Sequence, residues 1–157
     1  MEFTQEMSRS DYKRAILKHY FAFGFTYIHP VMGILLIAAF IYKLFPLEAF
    51  ENKSFLYLLG GVFLILRPWI YVSQIASAYR QGEMKFEINE EDELTLSQNG
   101  KSSTININEL YAFADRGQFV FLYMTKFRFH VIDKKQAGGN FLRYLDGLLG
   151  KYGIVKK

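Results

Sequence analysis

The sequence predicts an α+β membrane protein: a two-helix transmembrane hairpin, then a small antiparallel β sheet or barrel capped by a C-terminal helix. Three observations carry this expectation. Residues 21–42, "FAFGFTYIHPVMGILLIAAFIY", contain no Asp, Glu, Lys or Arg. A second apolar stretch runs from Phe55 to about Ala78 and is interrupted at Arg67 and Pro68. Beyond Gln81-Gly82 the pattern changes to short runs in which apolar and polar residues alternate, separated by glycine turns. The chain thus reads as an N-terminal segment (1–19), a helical hairpin (20–80, with helices at about 21–44 and 54–76) and a domain at 81–157.

The N-terminal "MEFTQEM" sets Met1, Phe3, Gln5 and Met7 against Glu2, Thr4 and Glu6. Such a segment can add an edge strand to the C-terminal sheet or fray as a free terminus. The first apolar segment, as a helix, reaches about 33 Å, enough for the hydrocarbon core of a bilayer. A cleaved signal peptide would have a shorter apolar region nearer the start, whereas here polar residues including Glu2, Glu6 and Asp11 come first.

In the second segment, Ser54 to Leu66 covers only about 20 Å, so a spanning helix must continue through Arg67 to about Ile75. The connection "KLFPLEAFENKS" suits a tight turn, with Pro46 ending the first helix. Arg9, Lys13, Arg14 and Lys18 precede the first span, Lys43 and Lys53 lie in the connection, and Arg80 and Lys85 follow the second. Lys and Arg collect on cytoplasmic flanks, so both termini are expected in the cytoplasm and the protein in the cytoplasmic membrane. Trp69, Tyr71, Tyr79, Tyr20 and Tyr27 fit an aromatic belt at that boundary.

With the turn centred near residue 49, antiparallel symmetry puts Arg67 level with about Val31, and Pro68 level with Pro30. Pro30 has no N–H for the carbonyl of Thr26, which is left free beside Tyr27 and His29. Two readings of this layer stay open. In one, Tyr27, His29 and Arg67 form an intramembrane polar cluster lining a pathway or proton relay. In the other they lock two kinked helices together and set their depth, with Arg67 snorkelling toward the cytoplasmic surface. Two helices enclose no pore, so the first reading requires an oligomer.

Strands are expected at 84–88, 93–97, 103–107, 110–114, 118–124 and 127–132, with Asn99-Gly100 as a two-residue hairpin turn. Gly138-Gly139 ends a connection, and Asn140 is expected to cap a helix whose Phe141, Leu142, Leu145, Leu148 and Leu149 cover the open side of the sheet. Strands followed by one amphipathic helix is the order of pleckstrin-homology-like barrels.

The chain also resembles a known family. "FTQEMSRSDYKRAILKHYF", two closely spaced apolar spans, and "ELYAFADRGQFVFLYMTKFRFHVIDKKQ" before a leucine-rich helix are together similar to the YcxB-like family of small bacterial membrane proteins. The resemblance covers nearly the whole chain and lies in the order of parts. Members often carry a tryptophan and a proline where this chain has Asn108 and Asp133. It implies a cytoplasmic pleckstrin-homology-like domain tethered by two helices, and brings no activity or site residues with it.

Catalytic constellations are thin. His19, His29 and His130 lie in different elements without carboxylates at metal-ligand spacing, and the serines near 97–103 lack a nucleophile's setting. The chain has no cysteine, which excludes thiol chemistry and disulfides. Its net charge of +4 is spread along the chain rather than gathered in a stripe, so nucleic acid is not an expected partner. No enzyme activity, cofactor or metal is expected.

Two features suggest a binding surface. Lys134 and Lys135, with Lys151, Lys156 and Lys157 beyond, can meet an anionic headgroup or partner, or be a solvated loop. Phe119, Phe121 and Tyr123 oppose Val120, Leu122 and Met124, so one apolar face of this strand packs the core and the other must meet the helix, lipid or another chain. The resulting expectation is a membrane-anchored binding or scaffolding protein that meets membrane lipid and either a protein partner or a second copy. A transport component or membrane-embedded enzyme using the polar cluster, and an immunity or regulatory factor for another membrane protein, are the alternatives.

Overall fold

The alternating segments at the two ends of the chain fold together. The computed structural model describes residues 1–22, 24–44, 52–77, 79, 81–126 and 128–157. Among these residues the chain forms an α+β fold of four α-helices and two antiparallel sheets. It divides into two units, Met1–Ala15 with Tyr79–Lys157, and Ile16–Ala78.

The β unit holds β1 (Glu2–Glu6), β2 (Glu83–Ile88), β3 (Glu93–Gln98) and β4 (Lys101–Asn106) in one sheet, in that order. A second sheet holds β5 (Ala112–Arg116), β6 (Phe119–Tyr123) and β7 (Phe129–Asp133). The N-terminal segment takes the strand alternative: Phe3 lies opposite Phe86, and Phe86 opposite Leu96. At the β3–β4 turn Asn99 (φ 50°) and Gly100 (φ 72°) are both left-handed, as a primed hairpin turn requires. The strand expected at 110–114 starts two residues later, at Ala112. A 3-10 turn at Ile107–Glu109 intervenes, capped by the Asn106 side chain accepting from the Asn108 N–H.

Two glutamine side chains hold β1 in place. Gln5, 3% exposed, donates from Nε2 to the Val131 carbonyl at 2.7 Å and accepts from the Asp133 N–H at 2.9 Å. The amide thereby satisfies two backbone groups on the edge of β7, as a neighbouring strand would. Gln136 pairs in the same way with the Glu6 backbone, at 2.9 and 3.0 Å.

The sheets enclose a core in which Phe86, Ile88, Leu94, Leu122 and Ile132 are almost wholly buried. Phe3 stacks on Phe86 and meets Phe141 edge-on. The helix that covers this core, α4 (Lys134–Lys151), buries Phe141, Leu145, Leu148 and Leu149 as expected, but it begins earlier. Asp133, not Asn140, caps it, accepting from the Lys135 N–H at 3.0 Å. A first turn follows, then Gly138 (φ 71°, ψ 153°) breaks the path before the longer helical run. At the far end of α4, the buried Asp92 carboxylate accepts from Lys151 Nζ at 2.6 Å and Tyr152 Oη at 2.7 Å. These bonds, that to Lys151 foremost, hold its carboxyl below the usual carboxylate range. The chain end runs beside β5, with the Phe113 N–H donating to the Val155 carbonyl and the Lys157 N–H to the Phe113 carbonyl.

The helical unit departs from the expected pair of long helices. Residues 21–42 do not form one helix: α1 (Arg9–Ala22) ends, a 3-10 turn covers Gly24–Tyr27, and α2 (Ile28–Leu44) begins. Apolarity over the whole stretch is blind to this break, but Pro30 marks it. In the first turn of α2 its missing N–H leaves no intrahelical bond unmade, so it starts a helix instead of kinking one. After a 3-10 turn at Asn52–Ser54 comes α3 (Phe55–Ser77), which carries Pro68 in its interior. Pro46 and the turn centre near residue 49 lie outside the described residues.

Contacts of α2 with α3 run antiparallel, with Gly33 against Gly61 and Ile65, Ile37 against Gly61, and Phe40 against Phe55. These pairs match the level assignment drawn from symmetry. Among the described residues α3 is the one helix long and apolar enough to cross a membrane, and α2 is apolar but shorter.

Candidate functional site

The polar residues of the helical unit gather where α1 hands over to α2. Tyr20 closes α1, Thr26 lies in the 3-10 turn, and His29 opens α2. The Thr26 hydroxyl donates back to the Tyr20 carbonyl. His29 Nδ1 lies 3.2 Å from Tyr20 Oη and 3.3 Å from the Thr26 carbonyl. Protonated at Nδ1, the imidazole donates to that carbonyl, and in the other tautomer it accepts from the tyrosine. The Thr26 carbonyl, four residues before Pro30, thus lies beside a histidine of the next turn. Tyr71 of α3 reaches the same layer, its ring centroid 5.3 Å from that of Tyr20.

Of the expected cluster, His29 is the member that hydrogen-bonds in this layer. Tyr27 is 53% exposed and its ring contacts Phe21. Arg67 is exposed on α3, with no hydrogen-bond or ion-pair partner among the described residues. Its neighbour Pro68 is buried and Trp69 is 53% exposed. The His29 hydrogen bonds go to Tyr20 and Thr26, while Tyr27 and Arg67 both present exposed side chains. Tyr20 and Tyr71 take the places that sequence reasoning assigned to Tyr27 and Arg67. Both had been read as boundary aromatics, and no local pattern pairs residues 20 and 71 across the break.

The proposed binding surface on the β unit changes more. Every residue of β6 is buried, with Phe119, Phe121 and Tyr123 at 0, 0 and 4% exposure. Phe129 meets Phe121 and Tyr123 edge-on, at 5.5 and 5.6 Å. Both faces of the strand are covered within the chain, so these three aromatics offer no open surface. Lys134 binds both oxygens of Asp115 at 2.7 Å and is committed internally. Lys135 stays exposed. Lys157 lies over the rings of Tyr111 and Tyr123, and Lys151 is bound to Asp92. The cations near the C-terminus thus act largely as staples of the β unit.

His130 lies on β7. It pairs with Leu122 and shares a face with Ile132, both core residues, and is half-buried. Burial, with the Arg128 charge second, pushes its pKa down. Among the described residues no group of His, Asp and Glu is arranged to hold a metal ion.

The apolar surface of the helical unit is the largest unexplained feature. Ile34, Leu35, Leu56, Leu59 and Phe63 are each 55–68% exposed, and only 17% of the most apolar window of α3 is buried. No family model matches the chain, and neither a curated protein nor a solved structure matches it significantly.

Proposed function

We propose that the chain is a membrane-anchored binding protein. In this reading α2 and α3 cross the bilayer out and back and hold a pleckstrin-homology-like domain in the cytoplasm, where it engages a protein or lipid partner without catalysis. The observation that carries the reading is the outward-facing apolar surface of α3. A core helix of a soluble protein buries such a surface, whereas a helix in lipid leaves it bare.

Strand pairing supports an even number of crossings. β1 precedes the helices, β2 follows them, and the two are hydrogen-bonded neighbours, so whatever lies between must return to the side from which it left. Arg9, Lys13, Arg14 and Lys18 before the helices, against Lys43 and Lys53 between them, favour the cytoplasm for that side. α2 alone reaches about 25 Å, and the preceding 3-10 turn adds about 8 Å of rise.

The pleckstrin-homology-like assignment draws support from the division into four and three antiparallel strands followed by a covering helix. The same order of parts is what membership of the YcxB-like family would imply.

Alkaline carbonate washing of membranes from cells that express the full chain tests the anchor. The protein is expected to stay in the pellet and to leave it only with detergent. Recovery as a discrete species in the carbonate supernatant would contradict the proposal. Photo-crosslinking from Lys135, replaced by a photoreactive residue in the full chain, is expected to trap one defined partner or lipid; random surface labelling would remove the binding role from this face.

A further inference from the structure

We infer that Arg67 binds the phosphate of a membrane lipid in the cytoplasmic leaflet, and that this contact sets the depth of the hairpin. The inference rests on the membrane reading above and adds a ligand to it. Arg67 is exposed and has no hydrogen-bond or ion-pair partner among the described residues, although a guanidinium carries five donors and an unpaired one in hydrocarbon is costly. Exposed aromatics of the kind found at an interface follow it, Trp69 at 53% and Tyr71 at 41%, while exposed aliphatic Leu66 at 47% precedes it. One turn further, Ser73, Gln74 and Ser77 are exposed and polar.

The spacing of charges agrees with this placement. Residues 54–66 carry no charge, a rise of about 20 Å as helix. Lys53 and Arg67 bracket this stretch, and each extended side chain reaches about 6 Å away from it. The sum, about 32 Å, equals the hydrocarbon thickness of a typical bilayer to within a few ångströms. On that spacing the guanidinium arrives at the level of the lipid phosphates, where a planar fork binds two phosphate oxygens at once. At the opposite end Lys43 lies over the Tyr57 ring, so the outer boundary has its own cation and aromatic.

Trp69 is the chain's single tryptophan, which makes its fluorescence a depth gauge two residues from Arg67. The full chain is reconstituted in phosphatidylcholine vesicles carrying lipids brominated either near the headgroup or near the acyl-chain ends. Wild type is expected to be quenched more strongly by the shallow bromines. In Arg67→Leu the ratio of shallow to deep quenching should fall at least about twofold as Trp69 sinks by about one helical turn, while Arg67→Lys should keep most of the wild-type ratio. Unmodified protein in vesicles of a phosphate-free galactolipid should behave like Arg67→Leu, which separates phosphate binding from any folding defect of the variant. Equal ratios in wild type and Arg67→Leu, or in the two lipids, would overturn the inference and leave the membrane anchor standing. No quenching from either depth would remove both.

Discussion

A β-carbon on Gly33 would lie 2.6 Å from the carbonyl oxygen of Gly61, and one on Gly61 would lie 2.8 Å from that of Gly33. α2 and α3 therefore touch backbone to backbone, a close approach that small residues allow. Gly33→Ala and Gly61→Ala must each push the helices apart, and we expect each to cost about 1–3 kcal/mol. Gly60, whose nearest such neighbour is Leu36 Cδ1 at 3.5 Å, is the control. Gly60→Ala should be neutral or gain up to about 1 kcal/mol from helix propensity. Thermal unfolding of the three variants in one detergent checks the contrast.

The Gln5 amide joins the two sheets, and its removal leaves the Val131 carbonyl and the Asp133 N–H buried without partners. Gln5→Ala is expected to destabilise the β unit by about 2–4 kcal/mol, from two unmet backbone groups at about 1–2 kcal/mol each. Hydrogen exchange at the Asp133 amide should accelerate more than at Ile88, whose N–H donates to the Met1 carbonyl. Gln5→Glu should be worse than Gln5→Ala, because it loses the donor and buries a charge.

Acid should act on two groups in different windows. The His130 pKa is depressed in the folded chain, so the unfolded chain binds the proton more readily. Its contribution is therefore complete above the ordinary histidine value and is lost as pH falls from there toward the folded pKa. His130→Phe should flatten the stability profile in that window. Asp92, also depressed, contributes fully above the ordinary aspartate value and loses that contribution as pH falls through its lower folded pKa. Asp92→Asn should erase the second step while tolerating the left-handed backbone at this position (φ 59°). Unfolding midpoints measured across the acid range check both signs.

Much of the β unit was legible because its signals are local. Alternation located all six strands after residue 82 to within two or three residues, and Asn99-Gly100 named its own turn. The helix over the sheet was legible from Phe141, Leu145, Leu148 and Leu149, but its start was not. Asp133 and Asn140 are equally good caps by residue type, and the short first turn that Asp133 caps ahead of the break at Gly138 has no pattern of its own.

Long-range relationships were out of reach. The second apolar face of β6 was visible in the alternation of Phe119, Phe121 and Tyr123. That the chain itself covers this face was not, because the covering contacts are tertiary. Gln5 illustrates the same limit, since its partners lie at residues 131 and 133. The break between α1 and α2 was signalled by Gly24 and Pro30, yet outweighed by an uninterrupted apolar run. Arg67 was recognised as exceptional, but the Tyr20–Tyr71 contact one turn along α3 pairs residues far apart in the chain, which no local pattern signals.

The central claim is that an apolar hairpin leaves the cytoplasm and returns to it. The chain has no cysteine, so single replacements at Lys53, between the helices, and at Lys135, on the β unit, can be labelled with a membrane-impermeant maleimide. In intact cells Lys53→Cys should react and Lys135→Cys should react only after the membrane is opened. Labelling of Lys135→Cys in intact cells, or protection of both positions until lysis, would contradict the account.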